Sequence, residues 1–171
     1  MNCKLIKPTK AYEEEWINYA KEYITDNPKL LPLEYKLDIS YDEWLKLIED
    51  ESMGKNLKKG RVPSTKYFLI NNEEKILGGI SIRHNIDNEY LFNYGGHIGY
   101  GIRPSERGKG YGDIILGLGL NEIKKMNVNK ILITCLDDNI YSKKIIEKNG
   151  GILENKIPFE DNFMCRYWIQ L

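Results

Sequence analysis

Cysteine and histidine are scarce in this chain, and their spacing argues against two common kinds of site. The sequence has three cysteines, Cys3, Cys135 and Cys165, and two histidines. An odd number of cysteines without a CxxC pair gives neither a disulfide framework nor a zinc site. We therefore expect a reduced, cytoplasmic protein that holds no metal.

The chain also lacks an excess of charge of one sign and lacks long hydrophobic runs. Lys and Arg together number 25, as do Asp and Glu, and this balance argues against a nucleic acid or an anionic membrane surface as partner. No run approaches the ~18 apolar residues of a membrane span, and the first residues lack a signal-peptide core. A length of 171 residues predicts one domain with a sizeable core, as a monomer or homodimer.

Elements outside the central segment are predicted from periodicity and from turn residues. A capping box at Ser40 and Glu43 begins one helix, and Thr9 is the predicted N-cap of an earlier one; a loop carrying Pro28 and Pro32 separates them. The predicted strands cover residues 2–7, a hairpin of 66–70 and 76–83, and a final pair, 151–157 and 163–171, around the connection from Pro158 to Asn162.

The most informative stretch runs from His97 to Gly112. An alternating run, IGYGI, predicts a strand, which Arg103-Pro104 ends because proline cannot donate to a ladder and restricts the residue before it. A glycine-rich segment follows, and an apolar-periodic run after it predicts a helix. A loop in this position can turn several backbone N–H groups toward one anion, and the helix dipole favours negative charge there.

We call residues 107–112 the glycine loop. Gly108, Gly110 and Gly112 allow the backbone to approach a ligand closely, while Arg107 and Lys109 add positive charge. The glycine loop therefore predicts a site for a diphosphate. A Walker A loop does not fit, and neither does the GxGxxG dinucleotide fingerprint, because the third glycine falls one place early.

The pattern Arg-x-x-Gly-x-Gly, formed by Arg107, Gly110 and Gly112 after a strand, resembles the acetyl-CoA-binding motif of the GNAT N-acetyltransferase superfamily. The downstream segment adds to this resemblance, because a buried apolar strand at 130–136 is followed by a helix that starts near Asn139. The similarity covers roughly residues 65–171. The segments RHNI, GGHIGYGIRPSERGKGYG and NGG together resemble a bacterial branch of that superfamily.

The resemblance implies an α/β fold: a mixed, mostly antiparallel sheet with a central splayed pair of parallel strands, flanked by helices. It implies acetyl-CoA as cosubstrate and one domain over 1–171, with a helical acceptor-side part in 1–60 and an acetyl-CoA-binding core in 65–171. The cofactor-binding residues that it implies are Tyr100, Gly101, Ile102, Arg103, Arg107, Gly108, Lys109, Gly110, Tyr111, Gly112, Asn139 and Ser142.

The tyrosine that usually serves the family as general acid is replaced here by Ile146. Tyr141, earlier on the same helix, and Cys135, at a strand end, are the candidates for its work; a packing tyrosine and a small buried hydrophobe are the competing interpretations. His97 is the candidate base, since imidazole titrates near neutrality, and a hairpin could bring His84 beside it. Glutamates of the N-terminal helices or water could serve instead.

Three functions remain open at this point. The first is N-acetyl transfer to an amine of a small molecule or peptide by direct attack. The second is a non-catalytic acyl-CoA-binding sensor, which the missing tyrosine keeps under consideration. The third is a nucleotide-binding regulator that uses the same glycine loop.

Overall fold

A computed structural model describes residues 2–27, 33 and 38–171; the predicted loop carrying Pro28 and Pro32 lies outside these residues. Within the described chain two sheets form, one of four strands and one of three. The strands are β1 (Lys4–Ile6), β2 (Ser64–Ile70), β3 (Ile76–Arg83), β4 (Ile98–Ile102), β5 (Lys130–Leu136), β6 (Ile152–Phe159) and β7 (Asn162–Gln170). The strand order is β1-β2-β3-β4 in the first sheet and β5-β7-β6 in the second, with antiparallel neighbours throughout.

The α-helices are α1 (Glu13–Asp26), α2 (Tyr41–Ser52), α3 (Tyr111–Lys124) and α4 (Ile140–Lys148). The capping box that was predicted for α2 is present: the Glu43 amide donates to Ser40 Oγ at 3.2 Å and the Ser40 amide donates to Glu43 Oε2 at 2.8 Å. The predicted cap at Thr9 is wrong, because a 3₁₀ turn over Lys10–Tyr12 intervenes and the Thr9 side chain makes no capping hydrogen bond. None of the described helices is long and apolar enough to cross a bilayer.

Alternating residues of the first sheet build two separate cores. Ile80 and Ile82 of β3 face α3 and join the larger core. Phe68 of β2 faces the other way, into an aromatic layer with Trp16 of α1 and Trp44 of α2. The two indole rings stack with centroids 4.9 Å apart. The aromatic residues of α1 and α2 are therefore mainly core residues.

The two sheets meet where β4 and β5 begin. The His97 amide donates to the Leu132 carbonyl at 2.7 Å, and the Leu132 amide donates to His97 Nδ1 at 3.0 Å. Contact near the start of both strands is what a strand–helix–strand crossover gives, and such a crossover makes the strands parallel. Beyond this contact the described residues show no ladder between β4 and β5, so the strands diverge. The predicted mixed sheet with a splayed central pair is confirmed.

The last hairpin differs from its prediction. Pro158 was expected in the connection, but it lies within β6 opposite Phe163, and the turn is shortened to Glu160 and Asp161. The sheet order places β6 at an edge. An edge strand tolerates proline because one of its sides needs no N–H donor.

Candidate functional site

The glycine loop follows a 3₁₀ turn, Pro104–Glu106, and its last two residues begin α3. Gly108 and Gly110 have φ values of +76° and +84°, a region that favours glycine. Gly110 is the N-cap of α3, and no side chain caps the first-turn amides. A Cβ atom built on Gly108 would meet no atom within 4 Å. The loop is thus open and is followed by uncapped helix amides, an arrangement that suits an anion.

The third glycine of the loop serves helix packing. A Cβ atom on Gly112 would collide with Cδ1 of Ile145, so glycine lets α3 approach α4 closely. At the start of α4, Asn139 Oδ1 accepts a hydrogen bond from the Ser142 amide at 3.0 Å. The Asn139 side chain is therefore the N-cap of α4, and the packing of the two helices brings this cap to the same side of the sheet as the glycine loop.

Arg103 joins the end of β4 to α1. Its side chain is 7 % exposed; Nη1 lies 2.6 Å from Glu15 Oε1 and Nε lies 2.6 Å from Glu22 Oε1. A buried guanidinium needs such partners, because an uncompensated charge away from water is costly. The Arg103 side chain thus anchors α1 beside the glycine loop.

The two basic residues of the glycine loop are also paired with carboxylates. Arg107 Nη1 lies 2.7 Å from Asp26 Oδ2, and Lys109 Nζ lies 2.8 Å from Glu106 Oε2. Glu106 also accepts from Lys75 Nζ at 2.6 Å. The ammonium groups of Lys109 and Lys75 hold the pKa of Glu106 below its ordinary value. The positive charge expected at the loop is therefore compensated within the protein.

Tyr100 lies on β4 with its side chain toward α3 and α4, packed against the larger core. Its hydroxyl oxygen is buried. A side-chain hydrogen bond links the hydroxyl to Ser142 of α4, and Cys135 of β5 and Asp113 of α3 are its charged or ionisable neighbours. Burial raises the pKa of Tyr100 to about 12.

The opposite face of β4 is open. Gly99 pairs with Ser81 of β3, and a Cβ atom on Gly99 would meet nothing within 4 Å. A cavity of about 290 Å³ lies on the same side of β3, and the lining includes Glu51, Arg61, Ser64, Ser81, Arg83 and Tyr90. The Glu51 carboxylate forms an ion pair with the buried ammonium of Lys66.

The two alternative candidates for the acid, Cys135 on β5 and Tyr141 on α4, differ in exposure. Tyr141 is 83 % exposed, whereas Ile146 is fully buried. Five residues at about 100° each place the two side chains on different faces of the helix. Cys135 is 8 % exposed, and burial raises the pKa of its thiol to about 12.

His97 is 4 % exposed, and its Nδ1 is the acceptor for the Leu132 amide described above. Burial lowers the pKa of His97. The hairpin pairs Arg83 with His97 through the Arg83 amide, which donates to the His97 carbonyl at 2.8 Å. His84 instead lies with Nε2 at 2.8 Å from Thr65 Oγ1.

Sequence reasoning missed two features of this site: the side of the sheet that the Tyr100 side chain faces, and the cavity beside Ser81 and Arg83. The alternation along β4 could have indicated that the Tyr100 side chain faces away from Gly99 and Gly101, toward the α3 side. The cavity beside Ser81 and Arg83 had no local signal, because its lining comes from segments far apart in the chain.

Comparison with known proteins agrees with this geometry. The family described as "Acetyltransferase (GNAT) domain" matches residues 13–152. Among curated proteins, none matches the chain. A ribosomal-protein-S5-alanine acetyltransferase from Vibrio fischeri superposes with a TM-score of 0.64 at 20 % identity, covering 98 % of this chain and 91 % of that chain. A spermidine N-acetyltransferase from Vibrio cholerae, solved with CoA and spermine, superposes with a TM-score of 0.66 at 14 % identity, covering 99 % and 95 %.

At such identities the solved structures show a shared fold. Family membership follows from the sequence match, which extends from the start of α1 through the glycine loop and α4. The chain therefore belongs to the GNAT acetyltransferase family and is an acyltransferase.

Proposed function

We propose that this protein transfers the acetyl group of acetyl-CoA to a primary amine of a small molecule or peptide by direct attack. The glycine loop carries the proposal: it is open above Gly108, it is followed by the uncapped amides of α3, and it lies at the diverging end of β4. Acetyl-CoA supplies an acyl group activated as a thioester and a diphosphate that suits such a loop.

The residues of the loop fit a diphosphate through their backbone. The amides from Gly108 to Gly112 would hold it, since glycine lets this backbone approach closely. Arg107 and Lys109 would contribute charge by exchanging their carboxylate partners for phosphate oxygens. The pair of Arg107 with Asp26 is exposed and therefore weak enough to exchange. If Lys109 turned to the ligand, the buried Glu106 would keep its pair with Lys75.

Direct attack is favoured over a route through an acetylated cysteine. Nucleophilic catalysis requires a thiolate, and a Cys135 pKa of about 12 keeps this buried thiol protonated near neutral pH. We also leave His97 out of proton transfer, because its Nδ1 already accepts from Leu132. In this proposal the acceptor amine loses its proton to water.

The acceptor would bind on the open face of β4, in the cavity beside Gly99 and Ser81. The described lining carries the side chains of Arg61, Arg83 and Glu51, and the Glu51 carboxylate is paired with Lys66.

The first test is calorimetry of the purified protein with acetyl-CoA, CoA, NADH and ATP, followed by an amine panel scored by release of the CoA thiol. The panel contains spermidine, alanine-initiated peptides and monoamines. We expect the two CoA ligands to bind selectively and at least one amine of the panel to be acetylated. Preference for ATP or NADH would contradict the proposal.

A second candidate, an acyl-CoA-binding sensor, is favoured by one observation. Ile146 is fully buried and brings no hydroxyl to the position of the family's usual acid. CoA binding without thiol release for any amine in the panel would support this sensor.

A further inference from the structure

A carboxylate of α1 holds the 3₁₀ turn that leads into the glycine loop. Glu22 Oε2 accepts a hydrogen bond from the Ser105 amide at 3.1 Å, and Glu22 Oε1 lies 2.6 Å from Arg103 Nε. Arg103 precedes the turn, Pro104–Glu106, and Ser105 lies within it. One side chain of α1 therefore binds the chain on both sides of Pro104.

The backbone donors around this turn show why the Ser105 amide takes its acceptor from α1. The Arg103 amide donates to a carbonyl of β3 at 2.9 Å, and Pro104 has no N–H group. The Glu106 amide donates back to the Arg103 carbonyl at 2.8 Å. The first amides of a helical turn have no partner inside it, and for Ser105 the acceptor is Glu22.

The glycine loop needs support from its flanks, since its own residues fix its direction poorly. Glycine is the most permissive residue of the backbone, and Gly108 and Gly110 both have positive φ. At the far end, the close approach of Gly112 to Ile145 packs the start of α3 against α4. At the near end, the turn held by Glu22 immediately precedes the loop. Amides that are aligned before a ligand arrives bind it more tightly, because less order has to be created on binding.

We propose that Glu22 is a positioning residue for the diphosphate of acetyl-CoA, and this inference rests on the proposed function. Glu22 acts through the backbone. Its contacts with Ser105 and Arg103 keep the turn against α1, and the turn directs the amides from Gly108 onward at the diphosphate. The acetyl group and the acceptor amine are not part of this action, so the loss of Glu22 should weaken the binding of acetyl-CoA without slowing the transfer that follows.

Glu15 provides a matched control on the same helix. Its Oε1 lies 2.6 Å from Nη1 of Arg103 and accepts a hydrogen bond from the Ile76 amide at 3.0 Å. The side chains of Glu15 and Glu22 are 27 % and 30 % exposed. Each carboxylate thus compensates the same buried guanidinium and accepts from one backbone amide, but the amide that donates to Glu15 belongs to β3 and lies outside the turn.

Glu22→Ala should lower the affinity for CoA about tenfold in calorimetry, because a turn that has lost its external hydrogen bond no longer aligns the loop amides. Charge alone predicts the opposite sign, since removal of a carboxylate near an anion site favours the anion. Glu22→Gln removes the same charge but keeps an oxygen for the Ser105 amide, so its affinity should equal or exceed that of the wild type.

Glu15→Ala should lower the midpoint of unfolding about as much as Glu22→Ala does, since Arg103 loses one carboxylate in either variant. Its CoA affinity should stay within about twofold of the wild type, because the two sites act independently. Should Glu22→Ala not fold, Glu22→Asp takes its place, because it keeps the charge but is one methylene too short to reach both partners.

A ligand without a diphosphate locates the effect. S-acetylpantetheine carries the thioester but ends before the diphosphate, so the glycine loop cannot hold it by that group. In Glu22→Ala, kcat/KM for acetyl-CoA should fall about tenfold through KM, with kcat within about twofold of the wild type. The value of kcat/KM for S-acetylpantetheine should not change, whereas a general loss of structure would lower kcat/KM for both acyl donors.

The outcomes separate this inference from the proposed function. Wild-type CoA affinity in Glu22→Ala, or an equal loss of affinity in Glu15→Ala, would overturn the inference while acetyl transfer stands. An equal loss of kcat/KM for both acyl donors would also overturn it, in favour of a structural role. If the wild-type protein binds CoA but acetylates no amine of the panel, the proposed function fails, and calorimetry of the variants decides on Glu22. A wild-type protein that binds no CoA would contradict both.

Discussion

Single residues of the glycine loop serve different physical purposes although they look alike in sequence. Gly110 sits at φ +84° as the N-cap of α3, whereas Gly112 provides room for Ile145 of α4. Gly108 leaves open space at the surface of the loop. A substitution at each of these positions should therefore disturb a different property of the loop. A substitution at Gly110 tests its backbone conformation.

Replacing Gly110 by alanine should weaken CoA binding. A residue with a Cβ atom is strained at positive φ, and relief of this strain would turn the loop amides out of line with α3. We expect about a tenfold lower affinity by calorimetry, because one or two amide hydrogen bonds to an anion would be lost.

Gly54→Ala is the matched control for this prediction. Gly54 has φ +70° at the end of α2, and a Cβ atom there would make only an ordinary contact of 3.4 Å with Pro63. Both variants should lose similar stability, on the order of 1 kcal/mol, but only Gly110→Ala should lose affinity. Equal CoA binding by both variants would contradict the role assigned to the glycine loop.

Among the elements, local sequence predicted those whose signals lie within a few residues. The run 130–136 gave β5 with its exact bounds, because a continuous apolar run fits a strand that is buried on both faces. The Ser40 capping box predicted the start of α2 because both of its partners, Ser40 and Glu43, lie within one turn. The pattern around the glycine loop and its place between strand and helix were likewise local.

Long-range contacts account for what could not be predicted. The ion pairs of Arg103 with Glu15 and Glu22 join residues more than 80 positions apart, and no periodicity encodes them. The pairing of His97 with Leu132 is of the same kind. The glycine loop was thus predictable from the sequence, but the pairing of its Arg107 with Asp26 of α1 was not.

The tie between α1 and the glycine loop leads to a prediction about ligand affinity. Asp26 holds Arg107 in an exposed ion pair, with side chains 42 % and 43 % accessible. Asp26→Asn should release this guanidinium for a diphosphate and raise CoA affinity about two- to fivefold at low salt, the worth of one exposed pair. The gain should shrink at high salt.

Asp42→Asn is the control. Asp42 of α2 forms a comparable exposed ion pair with Lys10, away from the glycine loop. Its CoA affinity should equal that of the wild type. A weaker affinity in Asp26→Asn would mean that Asp26 positions Arg107 for the ligand, contrary to the competition argued above.

At the scale of the whole molecule, His97 joins the two sheets at the point from which β4 and β5 diverge. The Leu132 amide has His97 Nδ1 as its acceptor, so His97→Leu would leave a buried N–H group without a partner. We expect the free energy of unfolding to fall by about 1–3 kcal/mol. His97→Asn offers an oxygen acceptor at a similar reach and should recover most of this loss in denaturant titrations.

The same contact predicts how stability depends on pH. Burial lowers the pKa of His97 below the ordinary value of 6.5, so on acidification the unfolded chain takes up the proton before the folded chain does. The contribution of His97 to stability is therefore complete above pH 6.5. It decreases as the pH falls toward the lower pKa that His97 has in the folded chain. His97→Asn should flatten this part of the stability profile.

His84→Asn is needed as a control, because burial also lowers the pKa of His84. If His97→Asn keeps the wild-type pH profile and His84→Asn removes its slope, the sheet junction is not the pH-sensitive contact.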